Sequence, residues 1–175
     1  MTIQYQCKIS QNKIKHRIKE ISTQINQDFH GKELTIICVL KGAFIFTADL
    51  VRMIKIPVKI EFISVSSYDG MISSGAIRVN KALTADIKGK HVLLVEDIID
   101  SGHTIDYLTH LLESQHPASL RICTLLSKTA SHKNKYKIDY IGFEMTNDFA
   151  IGYGLDLNGQ YRELPFIAQV INSQS

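Results

Sequence analysis

Residues 34–40 of the chain read LTIICVL, an apolar and largely β-branched run in which polar residues do not alternate regularly. Such a run is typical of a strand buried on both faces, as the strands of parallel sheets are. A similar run covers residues 90–95, and further strand-like segments alternate with helical patterns along the chain. We therefore predict an α/β protein with a doubly wound, mostly parallel sheet flanked by helices.

The other elements are predicted from hydrophobic periodicity and from residues that interrupt regular structure. Apolar residues recur at helical spacing over residues 11–29, 43–54 and 104–112. Further strands are predicted at residues 58–66, 76–79, 119–126 and 139–144. Residues 67–75, SYDGMISSG, have little apolar content and are predicted to form a mobile loop.

Composition and charge exclude several classes of protein. The 175 residues suffice for one domain, and 45% hydrophobic with 21% charged residues is normal for a globular chain. Disordered, collagen-like and disulfide-framework chains are thereby excluded. No apolar run is long enough for a membrane span, and the N-terminal residues lack a secretory pattern. The formal net charge of +3 does not by itself indicate nucleic-acid binding.

The three cysteines, Cys7, Cys38 and Cys123, fit neither a disulfide pattern nor a zinc pattern. Cys38 and Cys123 lie in apolar strand-like runs, so we predict that they are buried, reduced thiols. The seven histidines show no paired helical spacing for zinc. These features lead us to expect a cytoplasmic protein.

In a doubly wound sheet, ligands bind beyond the carboxyl ends of the strands. The predicted strand ends are followed by four short segments, at residues 41–42, 66–69, 96–104 and 127–129. We expect the functional residues in these segments, because loops on a rigid scaffold usually carry function.

The central segment, residues 92–104, reads VLLVEDIIDSGHT and is the most informative of the four. A strand predicted to end at Val95 leads into two carboxylates and a turn rich in small and hydroxyl residues: Glu96, Asp97, Asp100, Ser101, Gly102, His103 and Thr104. Gly102 permits a tight turn, and the amides of a helix N-terminus form a cradle for one phosphate. The two carboxylates suit sugar hydroxyls or a magnesium ion. The segment therefore indicates a site for a phosphorylated sugar.

Plainer interpretations of this segment stay open. In one such interpretation, Asp100 or Ser101 serves only as a helix cap. In another, the paired acids Glu96 and Asp97 are merely solvated, as acids at a strand end often are. A Walker phosphate loop is absent, and Gly152-Tyr153-Gly154 lacks the third glycine of a dinucleotide fingerprint.

The stretch VEDIIDSGHT at 95–104 resembles the phosphoribosyl pyrophosphate motif of type I phosphoribosyltransferases. Four further stretches resemble, in order and spacing, the hypoxanthine-guanine branch of that family: LKGA at 40–43, SSYDG at 66–70, LLSK at 125–128 and DFAIGYGLDLNGQYRELPFI at 148–167. The resemblance implies one domain over residues 1–175. It would have a core at about 34–145, a small hood made from the N-terminal helix and residues of about 146–175, and a mobile lid loop.

The activity that this resemblance implies is a step of purine salvage. The 5-phosphoribosyl group of phosphoribosyl pyrophosphate passes to hypoxanthine or guanine, giving IMP or GMP and pyrophosphate, with Mg2+ as cofactor. The resemblance also implies a homodimer or homotetramer, and no nucleic-acid or membrane partner.

The resemblance further implies roles for residues around the central turn. Asp100 would accept the proton from N7 of the purine, and residues 101–104 would hold the 5′-phosphate. His103 departs from the residue that many members carry, but a loop that binds through backbone amides tolerates this. Glu96 and Asp97 would face the ribose hydroxyls directly or through magnesium. Lys128 would contact the oxygen at C6, which favours oxo-purines over adenine.

The other implied roles concern the purine ring and the pyrophosphate. Phe149 would stack on the purine, and Ala150 would present backbone groups to its edge. Asp156 would bind a second magnesium ion, and Arg162 the pyrophosphate. Lys41 and Gly42 would form the pyrophosphate loop, in which the family often has a cis peptide, and Ser67 and Tyr68 would form the lid tip.

Two other functions are compatible with the predicted fold. A regulatory protein of this fold would bind nucleotide or nucleic acid without catalysis, but the lysines are spread out and do not form a basic face. A flavodoxin-like or phosphoaspartyl protein would need a hydroxyl-rich loop or an acid after the first strand, where the chain has Lys41-Gly42.

Overall fold

A computed structural model describes residues 3–67, 77–128, 136–146 and 149–171 of the chain. The elements in chain order are β1 (Gln4–Ile9), α1 (Gln11–Asp28), β2 (Leu34–Leu40), α2 (Phe44–Val51), β3 (Val58–Ser67), β4 (Ile77–Lys81), β5 (His91–Ile99), α3 (His103–Glu113), β6 (Ser119–Ser127), β7 (Tyr140–Glu144), β8 (Ala150–Ile151) and β9 (Ile167–Ile171). The large sheet has the order β4-β3-β2-β5-β6-β7, and the small sheet has the order β1-β9-β8.

The large sheet is parallel except for its edge strand β4, which pairs antiparallel to β3. Its central strands bury both faces, as their continuous apolar runs predict. Ile36 and Leu93 pack on the side of α1 and α2, whereas Ile37 and Leu94 pack with α3 on the other side. Helices therefore cover both faces, and the predicted doubly wound α/β architecture is confirmed.

Helix α1 matches the predicted span of residues 11–29 to within one residue. Ser10 caps it, because its Oγ accepts a hydrogen bond of 3.4 Å from the amide of Lys13. The buried face of the helix lies in the same cluster as Ile36 of β2 and is made of Ile14, Ile18, Ile21 and Ile25. The apolar face of α1 thus covers the large sheet, and the hood that the resemblance implies for this helix stays a prediction.

The small sheet was not predicted from the sequence. Strand β1 pairs antiparallel to β9, and β9 pairs with β8, so strands from both ends of the described chain form it. β1 is mostly exposed, so it lacks a strong hydrophobic pattern. β8 has two residues, which is too short for any periodicity. The N-terminal contribution to this sheet is thus β1.

Two predicted boundaries are wrong by more than two residues. Helix α2 ends at Val51 rather than residue 54, because the amides of Met53 and Ile54 bond to carbonyls three residues back and close the helix as a tight turn. Strand β5 continues from Val95 to Ile99, because its pairing with β6 continues beyond Val95. The two carboxylates of the central segment therefore lie on the strand itself.

Other predictions concern the thiols and the membrane. Cys38 and Cys123 are free and buried, which confirms that part of the cysteine prediction, and Cys7 is free and exposed. Within the described ranges, no helix is long and apolar enough to cross a membrane. Tyr68 and nearly all of the predicted loop at 67–75 lie outside the described residues, and Ser67 is the last residue of β3.

Candidate active site

The candidate site lies at the carboxyl ends of β2 and β5. In the strand order, β3 lies next to β2 on one side and β5 lies next to β2 on the other side. Such a point, where the strand order reverses, is where doubly wound sheets bind ligands. The segments after β2, β5 and β6 meet there, as the sequence predicted.

The first wall of the site is the loop that follows β2. The peptide bond between Leu40 and Lys41 is cis. A Cβ atom at position 42 would lie 1.6 Å from Oδ2 of Asp97, so any side chain there would have to displace this carboxylate. On the other side, a Cβ atom at Gly154 would lie 2.0 Å from the Gly42 carbonyl oxygen. The loop is therefore held between Asp97 and Gly154.

Two carboxylates at the end of β5 form the floor of the site. Glu96 is buried, and its Oε2 has no hydrogen-bond partner among the described residues. Its burial, together with the neighbouring charge of Asp97, holds the pKa of Glu96 well above the usual range. The Asp97 carboxylate accepts a hydrogen bond of 3.0 Å from the Ile98 amide.

The turn after β5 leaves the start of α3 free to bind an anion. Gly102 has φ +83°, which is the left-handed region that glycine adopts at little cost, and α3 begins at His103. Within the described residues, no side chain caps this helix. A cavity of about 100 Å³ adjoins the turn, lined among others by Glu96, Ser101 and Thr104. The interpretation of Asp100 or Ser101 as a plain helix cap is therefore wrong.

The side chains of Asp100 and Lys128 lie together on the other side of the turn. Lys128 Nζ is 2.7 Å from Asp100 Oδ2, and the lysine side chain is 12% exposed against 53% for the aspartate. The Lys128 amide also donates to the Ile99 carbonyl at 2.9 Å, which fixes the residue after β6. A cavity of about 270 Å³ runs from this pair to Phe149 and Ala150. The Phe149 ring is exposed and Ala150 is buried.

Asp156 and Arg162 complete the rim. Arg162 Nη2 is 2.6 Å from Asp156 Oδ1, and Arg162 Nη1 donates to the Gly154 carbonyl at 2.5 Å. Both side chains line a cavity of about 300 Å³ that also includes Lys41 and Asp97. Its polar wall therefore combines a guanidinium group, an amine and carboxylates.

Glu96, Asp97 and Asp156, which the sequence predicts as magnesium ligands, are the residues here that fit a hard divalent cation. Their carboxylates line the same cavity and offer the oxygen ligands that Mg2+ prefers. Within the described ranges, no cluster of three or more His, Cys, Asp or Glu side chains forms an all-protein metal cage. That arrangement suits an ion that takes its remaining ligands from water and substrate phosphates.

The structure thus brings together the predicted site residues that it describes, apart from Ser67. Ser67 is the last residue of β3, and Tyr68 lies outside the described residues. Sequence reasoning missed Ile98, which lines three of the cavities, and Gly154. The signal for Ile98 was its place between Asp97 and Asp100. The signal for Gly154 was a glycine close in sequence to Ala150 and Asp156, but its contact with Gly42 joins two segments that are far apart in the chain.

Comparisons with known proteins agree with this geometry. Residues 9–158 match the phosphoribosyl transferase domain family. A hypoxanthine phosphoribosyltransferase of Haemophilus influenzae is 42% identical over 167 residues, covering 93% of each chain. A crystal structure of a hypoxanthine-guanine phosphoribosyltransferase from Bacillus anthracis is 42% identical with a TM-score of 0.90, and the match covers 97% of this chain and 98% of the other. The Trypanosoma cruzi hypoxanthine phosphoribosyltransferase in complex with the product IMP is 38% identical with a TM-score of 0.90, covering 99% of this chain and 97% of that one.

Proposed function

The chain belongs to the phosphoribosyltransferase family, in its hypoxanthine-guanine branch, and from this premise we propose that it is a purine salvage enzyme. The reaction transfers the 5-phosphoribosyl group of phosphoribosyl pyrophosphate to hypoxanthine, and to guanine, giving IMP or GMP and pyrophosphate. The observation that carries the proposal is the set of three adjoining cavities, which share Ile98 and lie at the α3 start, the β2 loop and the Lys128–Asp100 pair. The regulatory alternative has no support among the relatives described above.

The 5′-phosphate is proposed to bind at residues 101–104. The amides at the start of α3, which no described side chain caps, provide donors for its oxygens together with the hydroxyls of Ser101 and Thr104. Glu96 and Asp97 face the ribose hydroxyls. Glu96 is buried and its Oε2 has no hydrogen-bond partner among the described residues, so it can accept a hydrogen bond from a ribose hydroxyl.

The purine is proposed to bind between Phe149 and the Lys128–Asp100 pair. In a 6-oxopurine the oxygen at C6 and the nitrogen N7 lie side by side, and the 2.7 Å contact between Lys128 and Asp100 offers a donor and an acceptor at similar spacing. As N9 bonds to C1 of the ribose, the C1–O bond to pyrophosphate breaks and the N7 proton passes to Asp100. The Phe149 ring stacks on the base, and the backbone of Ala150 meets its edge.

The pyrophosphate is proposed to leave along the cavity between the β2 loop and Arg162. Lys41, the amide of Gly42 and the Arg162 guanidinium provide positive charge and donors there. Asp97 and Asp156 would hold Mg2+, which when bound neutralises part of the charge on the pyrophosphate. The Asp156 carboxylate is kept in place by the Gly159 amide at 2.7 Å.

The remaining parts of the proposal are a lid at Ser67 and Tyr68 and an assembly of two or four copies in the cytoplasm. A lid is expected because water would otherwise hydrolyse the activated sugar. The partially exposed Phe44 on α2 suits a contact between copies.

The experiment that tests the function is a substrate panel. Hypoxanthine, guanine, xanthine and adenine are each incubated with phosphoribosyl pyrophosphate and Mg2+, and nucleotide formation is followed. We expect IMP and GMP, little or no AMP, and a loss of activity when Mg2+ is chelated. Failure to form any purine nucleotide would contradict the proposal.

A further inference from the structure

The turn Gly152-Tyr153-Gly154 contacts both the active-site loop at Lys41-Gly42 and helix α2. Its Gly154 touches the carbonyl of Gly42, as described above. Gly152, Tyr153 and Gly154 all have positive φ, at +92°, +53° and +104°. Backbone bonds from the Tyr153 amide to the Leu164 carbonyl and from the Gly154 amide to the Arg162 carbonyl hold the turn, at 2.9 and 3.0 Å. A tyrosine in the left-handed region is uncommon, which directs attention to its side chain.

The Tyr153 side chain reaches helix α2. The residue is 5% exposed, and its hydroxyl donates a hydrogen bond to Oδ2 of Asp49, while Oδ1 of Asp49 accepts one from Arg52. Burial and the neighbouring Asp49 carboxylate raise the pKa of Tyr153, so the hydroxyl keeps its proton and acts as a donor. The two side chains line a separate cavity of about 310 Å³ beside α1 and line none of the three cavities of the candidate site.

These contacts form a closed series that begins and ends at Gly42. Gly42 leads directly into α2, α2 carries Asp49, Asp49 holds Tyr153, and the turn brings Gly154 back against the carbonyl of Gly42. Because glycine at 154 has no side chain, the approach of the two backbones depends on where the rest of the turn is held. The backbone bonds to Leu164 and Arg162 hold the turn to its own segment of chain, whereas the bond from Tyr153 to Asp49 joins the turn to α2. Loss of that bond therefore lets the turn shift relative to the loop at Lys41-Gly42.

We propose that Tyr153 and Asp49 are positioning residues that fix the position of the pyrophosphate-binding loop at Lys41-Gly42. The inference rests on the proposed function, since it concerns binding of the pyrophosphate half of the sugar substrate. Neither residue is proposed to contact a substrate. Their loss should therefore weaken binding of phosphoribosyl pyrophosphate and of pyrophosphate, while binding of the purine at Lys128 and Phe149 stays nearly unchanged.

The test compares Tyr153→Phe and Asp49→Ala with two controls. Asp49→Asn keeps an acceptor for the tyrosine hydroxyl, and Arg52→Ala removes the other partner of Asp49. We expect Tyr153→Phe and Asp49→Ala to raise the KM for phosphoribosyl pyrophosphate and the Kd for inorganic pyrophosphate about tenfold, the scale of one hydrogen bond to a charged group. The KM for hypoxanthine should change by less than about twofold, and both controls should stay within about threefold of wild type in every constant. Because Tyr153→Phe and Asp49→Ala break the same hydrogen bond, the double variant should raise the KM for phosphoribosyl pyrophosphate no more than the more defective single variant does.

Three outcomes overturn the inference: an unchanged KM for phosphoribosyl pyrophosphate in Tyr153→Phe and Asp49→Ala, an equal rise in the KM for hypoxanthine, or an Asp49→Asn variant as defective as Asp49→Ala. A structural role alone would lower the melting temperature without separating the two substrates. A wild-type protein that forms no nucleotide would instead overturn the proposed function. The two failures are thus distinguished by the activity of the wild-type enzyme.

Discussion

At the scale of single residues, the site depends on close contacts between side chains and backbone. Gly42 passes so near the Asp97 carboxylate that a methyl group there would displace it. Lys128 lies nearly buried against the exposed Asp100, so its charge is directed to one point of the cleft. The first contact depends on the small size of Gly42, and the second depends on the charge of Lys128. Each leads to a prediction.

Gly42→Ala is expected to lower the free energy of unfolding by about 1–3 kcal/mol, because the new methyl group overlaps Asp97. In an Asp97→Ala background the overlap is gone, so the same substitution should cost less than half as much. Urea denaturation of the two single variants and the double variant measures this coupling. Additive losses would mean that Gly42 is required for another reason.

Lys128→Ala is expected to raise the KM for hypoxanthine about 10–100-fold, because it removes a charged donor from the oxygen at C6. The KM for phosphoribosyl pyrophosphate should change far less, since Lys128 does not line the cavities at the α3 start or the β2 loop. Steady-state kinetics with each substrate varied in turn separates the two effects. Equal losses for both substrates would show that Lys128 has a structural role.

At the scale of elements, the large sheet was predictable and the small sheet was not. The buried strands β2 and β5 and the amphipathic α1 have strong patterns over seven or more residues, so their type and place follow from the sequence. β1 and β8 are exposed or very short, and they become strands because β9 pairs with them. Tertiary contact decided these elements, and local sequence carries little trace of it.

The attachment of α1 to the large sheet leads to a prediction about pH. Asp28, the last residue of α1, accepts a hydrogen bond of 2.6 Å from the Tyr140 hydroxyl on β7 and also contacts Arg121 on β6. The Tyr140 hydroxyl first, and then the Arg121 charge, lower the pKa of Asp28. A carboxyl whose pKa is lower in the folded state stabilises the fold above its unfolded pKa, and this stabilisation is lost as the pH falls through the folded pKa.

Asp28→Asn should therefore destabilise the protein at pH 7 by about 0.5–1 kcal/mol, a small amount because the pair is partly exposed and screened by solvent. The difference from wild type should stay constant down to about pH 5 and shrink as the pH approaches about 3. Urea denaturation across this range measures it, with Glu33→Gln, at an exposed single ion pair with Lys59, as the matched control. A difference independent of pH would contradict the assignment.

At the scale of the whole molecule, the site is made by segments far apart in the chain. Residues 40–42, 96–104, 128 and 149–162 meet at the ends of β2 and β5. The sequence predicted this meeting because parallel strands bring their carboxyl ends to one edge, and the resemblance supplied roles for the side chains. It did not predict the Lys128–Asp100 contact or the packing of Gly154 on Gly42, because both depend on three-dimensional distances.

The central claim is that the turn from Glu96 to Thr104 holds a ribose 5-phosphate while Asp100 accepts a proton beside it. The most direct measurement is the turnover of Asp100→Asn, together with its Kd for phosphoribosyl pyrophosphate. The account predicts that kcat falls by about 10²–10⁴-fold, the usual contribution of a general base, while the Kd stays within about threefold of wild type. A variant with unchanged turnover, or one that loses binding as fully as turnover, would contradict the claim.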